Sequence, residues 1–468
     1  IGTGSRGCWL IRNMLKLENI VVTDVCDNYP PHLQNGWEDA GGNARKYEDY
    51  RLLLEQKDID AVFIATPLVW HVPMCIDALS AGKHIYCEKS LSYTVKEADD
   101  VVNAVKNSGK KFFVGYSRYT HAINKIKELI KQGAIGEIKH IFTHYHRNNT
   151  WERPCDDPKW FRHLNWRLYW EYCGGLMTEL VSHQINKVNY ILDSHPLSAM
   201  GKGSVGTYTQ HNRETWDNVH VVFEYPNDIT VNSTSILTNA KYGVSEEYLG
   251  TNGSIKTYGG RVFIYWEEDT KHLDEIGIKG EPVNISLGQS LNIPQDPVET
   301  PGKEILFEGE KINIIQHFFD CIRYDLKPEI DVEEGRISSI SVLMANKAIQ
   351  EGRKVYWDEM VEGSTSIDVN SDYRGKLPES YYLFQNFPNP FNSSTTIEFH
   401  LPEDEYVEIT INNTLGKVVK NLVKGYYTAG KHTIKWDATD ESGLSVASCL
   451  LYTSDAADEL DGVDLGGR

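Results

Sequence analysis

No apolar run in this chain reaches the roughly 18 to 20 residues that a bilayer-spanning helix needs, so the sequence offers no helical membrane span. Basic charge is also scarce. Against 66 Asp+Glu there are only 47 Lys+Arg, a formal net charge of -19 that repels phosphate backbones, and no basic stripe is present. A nucleic-acid partner is therefore excluded. The eight cysteines, at 8, 26, 75, 87, 155, 173, 321 and 449, include no C-x-x-C pair, and no His/Cys cluster has zinc spacing. Buried free thiols are expected, with no metal site. The chain also has no initiator Met, and no strand precedes its first glycine turn. The expectation is a fragment whose first strand, and any signal peptide before it, lie outside the sequence.

At 468 residues the chain is long enough for two or three cores. Gly2, Gly4 and Gly7 form G-x-G-x-x-G and lead into Cys8-Trp9-Leu10-Ile11-Arg12-Asn13-Met14-Leu15, which reads as a helix. Such glycines allow a tight turn and close approach of backbone to a pyrophosphate, while the helix N-terminus offers amide donors. A second strand, Ile20-Val21-Val22-Thr23-Asp24-Val25-Cys26-Asp27, ends in an acid at the spacing where such folds hold a ribose. Asp27 is preferred to Asp24 because it closes the strand. A carboxylate there accepts from the ribose hydroxyls and repels a 2'-phosphate, favouring NAD over NADP; the alternative is a solvated acid in a turn.

Asp60-Ala61-Val62-Phe63-Ile64-Ala65 is a near-continuous apolar strand, and His84-Ile85-Tyr86-Cys87-Glu88-Lys89-Ser90 delivers a lysine to a strand's carboxyl end. Strands alternating with helices predict an α/β Rossmann domain, a doubly wound parallel sheet whose ligand lies across the strand ends, where Thr66, Pro67, Glu88 and Lys89 fall. Beyond residue 137 the strands lengthen, at 138–145, 219–225, 229–237 and 255–266, and alternate apolar with polar. This predicts an α+β domain with an open antiparallel sheet. Read as a helix, Gly174-Gly175-Leu176-Met177-Thr178-Glu179-Leu180-Val181-Ser182-His183-Gln184-Ile185-Asn186-Lys187 puts Glu179, His183 and Asn186 on one face, either a solvated stripe or an active-site edge.

Ala65-Thr66-Pro67 with His71, Ala81-Gly82-Lys83-His84-Ile85-Tyr86-Cys87-Glu88-Lys89, Gly115-Tyr116-Ser117-Arg118 and Gly133-Ala134-Ile135-Gly136-Glu137-Ile138, in that order, resemble the glucose-fructose oxidoreductase / inositol dehydrogenase (Gfo/Idh/MocA) family over residues 1 to 360. The resemblance implies NAD held by Gly2, Gly4, Gly7, Asp27, Thr66, Pro67, His71 and Glu88. It implies catalysis by Lys89, Glu179 and His183, with Asn186 at a substrate-bonding position. Upstream, Trp160-Phe161-Arg162, Asn165-Trp166-Arg167 and Trp170 form an aromatic and arginine-rich segment; either Arg162, Trp166 and Arg167 line a sugar site there, or the aromatics pack within a long loop. In hydride transfer, His183 would remove the hydroxyl proton, Lys89 would orient the hydroxyl and stabilise alkoxide, and Glu179 would orient His183 or bond the sugar. Two departures stand out: Ser90 follows the lysine where the family has proline, and Asn186 stands where many members have aspartate.

A Ser/Asp/Gly-rich linker at 361–382 precedes short alternating strands, which predict an all-β Ig-like sandwich at 383–448. Gln385-Asn386-Phe387-Pro388-Asn389-Pro390-Phe391-Asn392, with Leu415-Gly416 and Ala429-Gly430-Lys431-His432, resembles the FlgD-like immunoglobulin fold of type IX secretion sorting domains. That implies contact with secretion machinery and a secreted or cell-surface location; the alternative is a periplasmic or cytoplasmic one. Residues 449–468, Cys449 included, resemble translated adapter read-through and are expected to form a non-native tail; an authentic acidic tail is the alternative. The expected domains are thus 1–137 and 138–360, then the linker, the sandwich and the tail. The expected function is NAD(P)-dependent oxidation of a sugar, cyclitol or related polyol by a homo-oligomer. The alternatives are an NAD-dependent glycosidase working by transient oxidation and elimination, and a non-catalytic carbohydrate-binding protein.

Overall fold

The computed structural model describes residues 1–117, 121–258, 261–266, 303–304, 313–361, 382–383, 395–403, 405–412, 417–427, 430–444 and 446. Arg118, most of the 361–382 linker, the 385–392 and 415–416 motifs and the 449–468 tail lie outside them. The chain forms two compact units, Ile1–Thr365 and Ser366–Arg468.

In the first unit, helix α1 (Ser5–Met14) follows the glycine turn. Strands β1 (Asp24–Cys26) and β2 (Arg45–Tyr47) pair in parallel, as do β3 (Ala61–Ile64), β4 (His84–Cys87) and β5 (Phe112–Val114). Ile1 and Gly2 stand between the two sets: the Gly2 N–H donates to the Cys26 carbonyl at 2.9 Å, and the Ala65 N–H donates to that of Ile1 at 2.9 Å. The apolar runs of β4 and β5 are buried, and β3 alternates buried Val62 and Ile64 with half-buried Ala61 and Phe63. Tyr86 stacks between Phe63 and Phe113, at 4.8 and 5.4 Å between ring centres, with Phe318 against its edge. The helix Val95–Ser108 starts at a Thr94/Glu97 capping box and stops at Gly109, whose φ of 65° suits glycine.

The second lobe of this unit carries a sheet of β6 (Ile138–His146), β7 (Ser198–Ser204), β8 (Asn218–Tyr225), β9 (Ile229–Ile236), β10 (Val244–Gly250), β11 (Gly253–Tyr258), β12 (Arg261–Trp266), β13 (Lys303–Glu304) and β14 (Val355–Tyr356). Their spatial order is β13-β12-β11-β10-β6-β9-β8-β7-β14. All neighbours are antiparallel except β6 and β9. In β8 and β9 every second residue is buried. The covered face meets the helices Ser182–Leu192 and Val332–Glu351, which bury Ile185, Val188, Ile340 and Met344 against Phe223, Val231 and Tyr248. Because Val332–Glu351 touches Val95–Ser108 as well as β7, it ties the two lobes together.

The second unit is all β. Strands Tyr382–Leu383, Thr395–Leu401 and Gly430–Trp436 form one sheet, and Glu405–Asn412 and Val418–Tyr427 the other. They share a small core of Ile397, Ile411, Trp436 and Ala438.

Candidate functional site

The turn before α1 is built so that bare backbone lines a groove. Gly2 has φ of 82°, and a Cβ there would lie 2.7 Å from the Ala65 carbonyl oxygen; one on Gly7 would lie 1.9 Å from that of Gly2. No side chain fits at either position. The groove, about 680 Å³, is lined by Gly2, Gly4, Ser5, Asp27, Thr66 and Pro67 and by Arg153, His163, Trp166 and Arg167 from the second lobe. Asp27 closes β1 with its carboxylate accepting the Thr3 N–H at 2.8 Å and the Tyr29 N–H at 2.9 Å. Burial works against its charge, but His32 and these two amides outweigh burial and hold the carboxyl below its ordinary range. From the opposite lobe, Arg153 Nη1 donates to Ser5 Oγ at 3.1 Å, in the first turn of α1.

A second cleft, about 690 Å³, adjoins the groove and shares with it Arg6, Thr66, Arg153, Trp166 and Arg167. Lys89 enters it from the end of β4. Its Nζ donates to the Glu179 carbonyl at 2.8 Å and lies 3.5 Å from that of Thr178 and 3.8 Å from Glu179 Oε2. These carbonyls belong to Met177–Val181, a π-helical turn ahead of the helix Ser182–Leu192. One extra residue in that turn leaves carbonyl lone pairs for donors outside the helix. Ser90 Oγ and Ser182 Oγ also donate to Thr178, at 2.9 and 2.7 Å.

His183 faces Lys89 in the same cleft, with Nδ1 3.2 Å from Ser117 Oγ. Burial first, then Lys89, Lys187, Arg6 and Arg147, push its pKa well below the ordinary histidine value. Its imidazole is therefore neutral at pH 7. The Ser117 N–H also points at Nδ1, at 3.5 Å, so that Ser117 holds the ring through its backbone as well as its hydroxyl. Glu179 does not touch His183: its carboxylate accepts from Arg167 Nε at 3.1 Å and faces Lys89. Buried His71 has Nδ1 2.7 Å from the Ser90 carbonyl and Nε2 2.9 Å from that of Thr66. Burial opposes its charge, while a carbonyl acceptor at each ring nitrogen favours it and pushes the pKa up.

Residues 1–116 match the family described as an oxidoreductase family, NAD-binding Rossmann fold, and residues 123–256 match the GFO/IDH/MocA C-terminal domain, together more than half of the chain. The chain belongs to the Gfo/Idh/MocA oxidoreductase family. Residues 390–459 match the FlgD Ig-like domain. An uncharacterized oxidoreductase, YrbE, of Bacillus subtilis (strain 168) is 29% identical over 205 residues, which are 44% of this chain and 56% of that protein. A glycosyl hydrolase family 109 protein of Shewanella sp. (strain MR-4) is 29% identical over 179 residues, 36% of this chain and 38% of that protein. The chain thus spans about half, or less, of the length of these curated relatives. Two solved structures share the fold, each over 76% of this chain with a TM-score of 0.59. They are an aldose-aldose oxidoreductase from Caulobacter crescentus complexed with glycerol, at 20% identity and 98% of that chain, and the WlbA dehydrogenase from Bordetella pertussis in complex with NADH and UDP-GlcNAcA, at 19% and 96%.

The groove fits the family's NAD: its floor tolerates no Cβ, Asp27 is ionised where a ribose needs an acceptor, and Arg153 brings positive charge beside α1. Of the residues expected at the site, Gly2, Gly4, Asp27, Thr66 and Pro67 line this groove, while Lys89, Glu179, His183 and Glu88 line the cleft, Glu88 paired with Arg6 at 2.7 Å. Trp166 and Arg167 line both. Gly7 packs behind the turn, and His71 braces the ends of β3 and β4.

Two expected residues fall elsewhere. Asn186 is fully buried and donates to Ser338 Oγ at 2.9 Å, because the π-helical turn rotates the following helix and brings Lys187 into the cleft instead. Arg162 is bound by Glu171 and, at 3.0 Å, by Glu214 on the outer surface. The sequence reading missed Ser117, Arg147, Arg153 and Lys187. Ser117 lay in a motif already quoted, whereas Arg147 and Arg153 follow β6 with no local pattern to mark them.

Proposed function

We propose that this chain is an NAD-dependent oxidoreductase that removes the hydroxyl proton and the hydride on the adjoining carbon from a secondary alcohol of a sugar, cyclitol or related polyol. The observation that carries this reading is the pair formed by neutral His183 and cationic Lys89 across one cleft, next to the dinucleotide groove. The hydride acceptor in this chemistry is the nicotinamide of bound NAD. The His183 imidazole receives the hydroxyl proton, with the ring held by Ser117. Lys89, anchored on the π-turn carbonyls, orients the hydroxyl and stabilises the developing alkoxide. Glu179 holds Arg167 and Lys89 in place. The test is to incubate the purified chain with NAD and a panel of sugars and cyclitols and follow NADH absorbance. A chain that binds NAD and forms no NADH with any of them contradicts this reading.

The likeness to glycosyl hydrolase family 109 proteins favours a second reading, in which the same base and lysine serve a transient oxidation that ends in hydrolysis of a glycoside. Release of aglycone without accumulation of NADH distinguishes it. The FlgD Ig-like domain supports export to the cell surface or medium through secretion machinery, and the partly exposed alternate residues of β8 and β9 favour a homo-oligomer.

A further inference from the structure

The charge of the cleft runs against the charge of the chain. The whole sequence carries a formal -19, yet among the described residues six cationic side chains, Arg6, Lys89, Arg147, Arg153, Arg167 and Lys187, line the cleft against three carboxylates. Most of these cations are spoken for. Glu88 holds Arg6 at 2.7 Å, Glu179 holds Arg167 and faces Lys89, and Glu246 holds Lys187 at 2.8 Å. Arg153 reaches the first turn of α1, on the dinucleotide side. Of the three cleft carboxylates only Glu152 remains, and it lies 3.0 Å from His211 Nε2.

Arg147 is different. It lines the cleft but not the dinucleotide groove, so the charge of a pyrophosphate does not account for it. Among the described residues no carboxylate pairs with it. Its Nη2 donates to the Tyr145 hydroxyl at 2.9 Å, and its guanidinium sits 5.1 Å from the centre of the Tyr145 ring, which is itself 6.4 Å from the His183 ring. The tyrosine thus holds a forked donor, without a carboxylate partner among the described residues, at the substrate end of the cleft and one ring away from the proposed base. A guanidinium so placed suits the planar, two-oxygen edge of a carboxylate or phosphate.

We propose that the substrate is an acidic sugar or cyclitol, whose carboxylate or phosphate is received by Arg147 while the hydroxyl to be oxidised lies between His183 and Lys89. This rests on the oxidoreductase reading above and narrows its substrate class. An acidic group at Arg147 completes the charge balance of the cleft and fixes the ring's orientation.

The experiment uses the full chain with saturating NAD and compares three members of each of the gluco, galacto and manno series by calorimetric titration: the neutral aldose, its uronate and its 1-phosphate. The expected result is a Kd about tenfold or more lower for one acidic form than for its aldose, an advantage that shrinks as salt is added. Arg147→Gln should bring that ratio close to one. Preference for the uronate assigns a carboxylate, and preference for the 1-phosphate assigns a phosphate. If aldoses bind and no acidic form gains over them, or if Arg147→Gln leaves the ratio intact, the inference is overturned and the sugar reading stands. If NAD binds and no member of any series does, the sugar reading itself falls and takes the inference with it.

Discussion

At the scale of single residues, the proposed chemistry uses a His183 held neutral beside Lys89. The cations around His183 and its burial act in the same direction, disfavouring imidazolium. A base whose pKa is depressed stays unprotonated as the medium becomes more acidic. The acid limb of kcat/KM against pH should therefore fall below the ordinary histidine value of about 6.5. A limb at or above that value would show that His183 is not the titrating base. Arg147→Gln removes one of the repelling cations and should move the limb upward. Replacing either partner is more severe: Lys89→Ala and His183→Ala should each lower kcat by about 10² or more, with circular dichroism unchanged. Arg147 and Arg153 were not legible at this scale, since an arginine past the end of a strand carries no periodic signal. Lys89 was legible because the strand that delivers it is.

At the scale of elements, the π-helical turn explains where sequence reasoning succeeded and where it failed. A period of 3.6 residues carried from Glu179 onward brings Asn186 into line, and it fails because Met177–Val181 contains one residue more per turn. Asn186 then points at Ser338 on the helix Val332–Glu351, and Lys187 takes the place in the cleft. The same turn gives a physical account of Ser90, where the family resemblance led to an expectation of proline. Its hydroxyl donates to the Thr178 carbonyl, which also lies 3.5 Å from Lys89 Nζ, so the residue after the lysine is anchored by a hydrogen bond. Ser90→Ala should cost about 1 kcal/mol in urea unfolding of the first unit. It should also lower kcat several-fold, with restoration by Ser90→Thr. An alanine variant of full stability and full rate would show that this hydroxyl positions nothing.

At the scale of the molecule, the doubly wound part and the long alternating strands were readable because burial imposes their patterns on the sequence, near-continuous in β4 and β5 and every second residue in β8 and β9. What sequence left open was how independent the parts are. Ile1–Thr365 has two buried clusters joined by the helix Val332–Glu351, whereas Ser366–Arg468 encloses its own core around Ile397, Ile411 and Trp436. A unit with a separate core has its own unfolding equilibrium, and a ligand stabilises only the unit that binds it. Calorimetry of the full chain should therefore show two transitions. NAD added at a hundredfold excess over its Kd stabilises the first unit by about 2.7 kcal/mol, which raises that transition by several degrees and leaves the other in place. Movement of both transitions together would mean that the two units unfold as one. In that case removing the all-β unit would also perturb the oxidoreductase, whereas independent transitions predict that a chain ending at Thr365 keeps its NAD affinity.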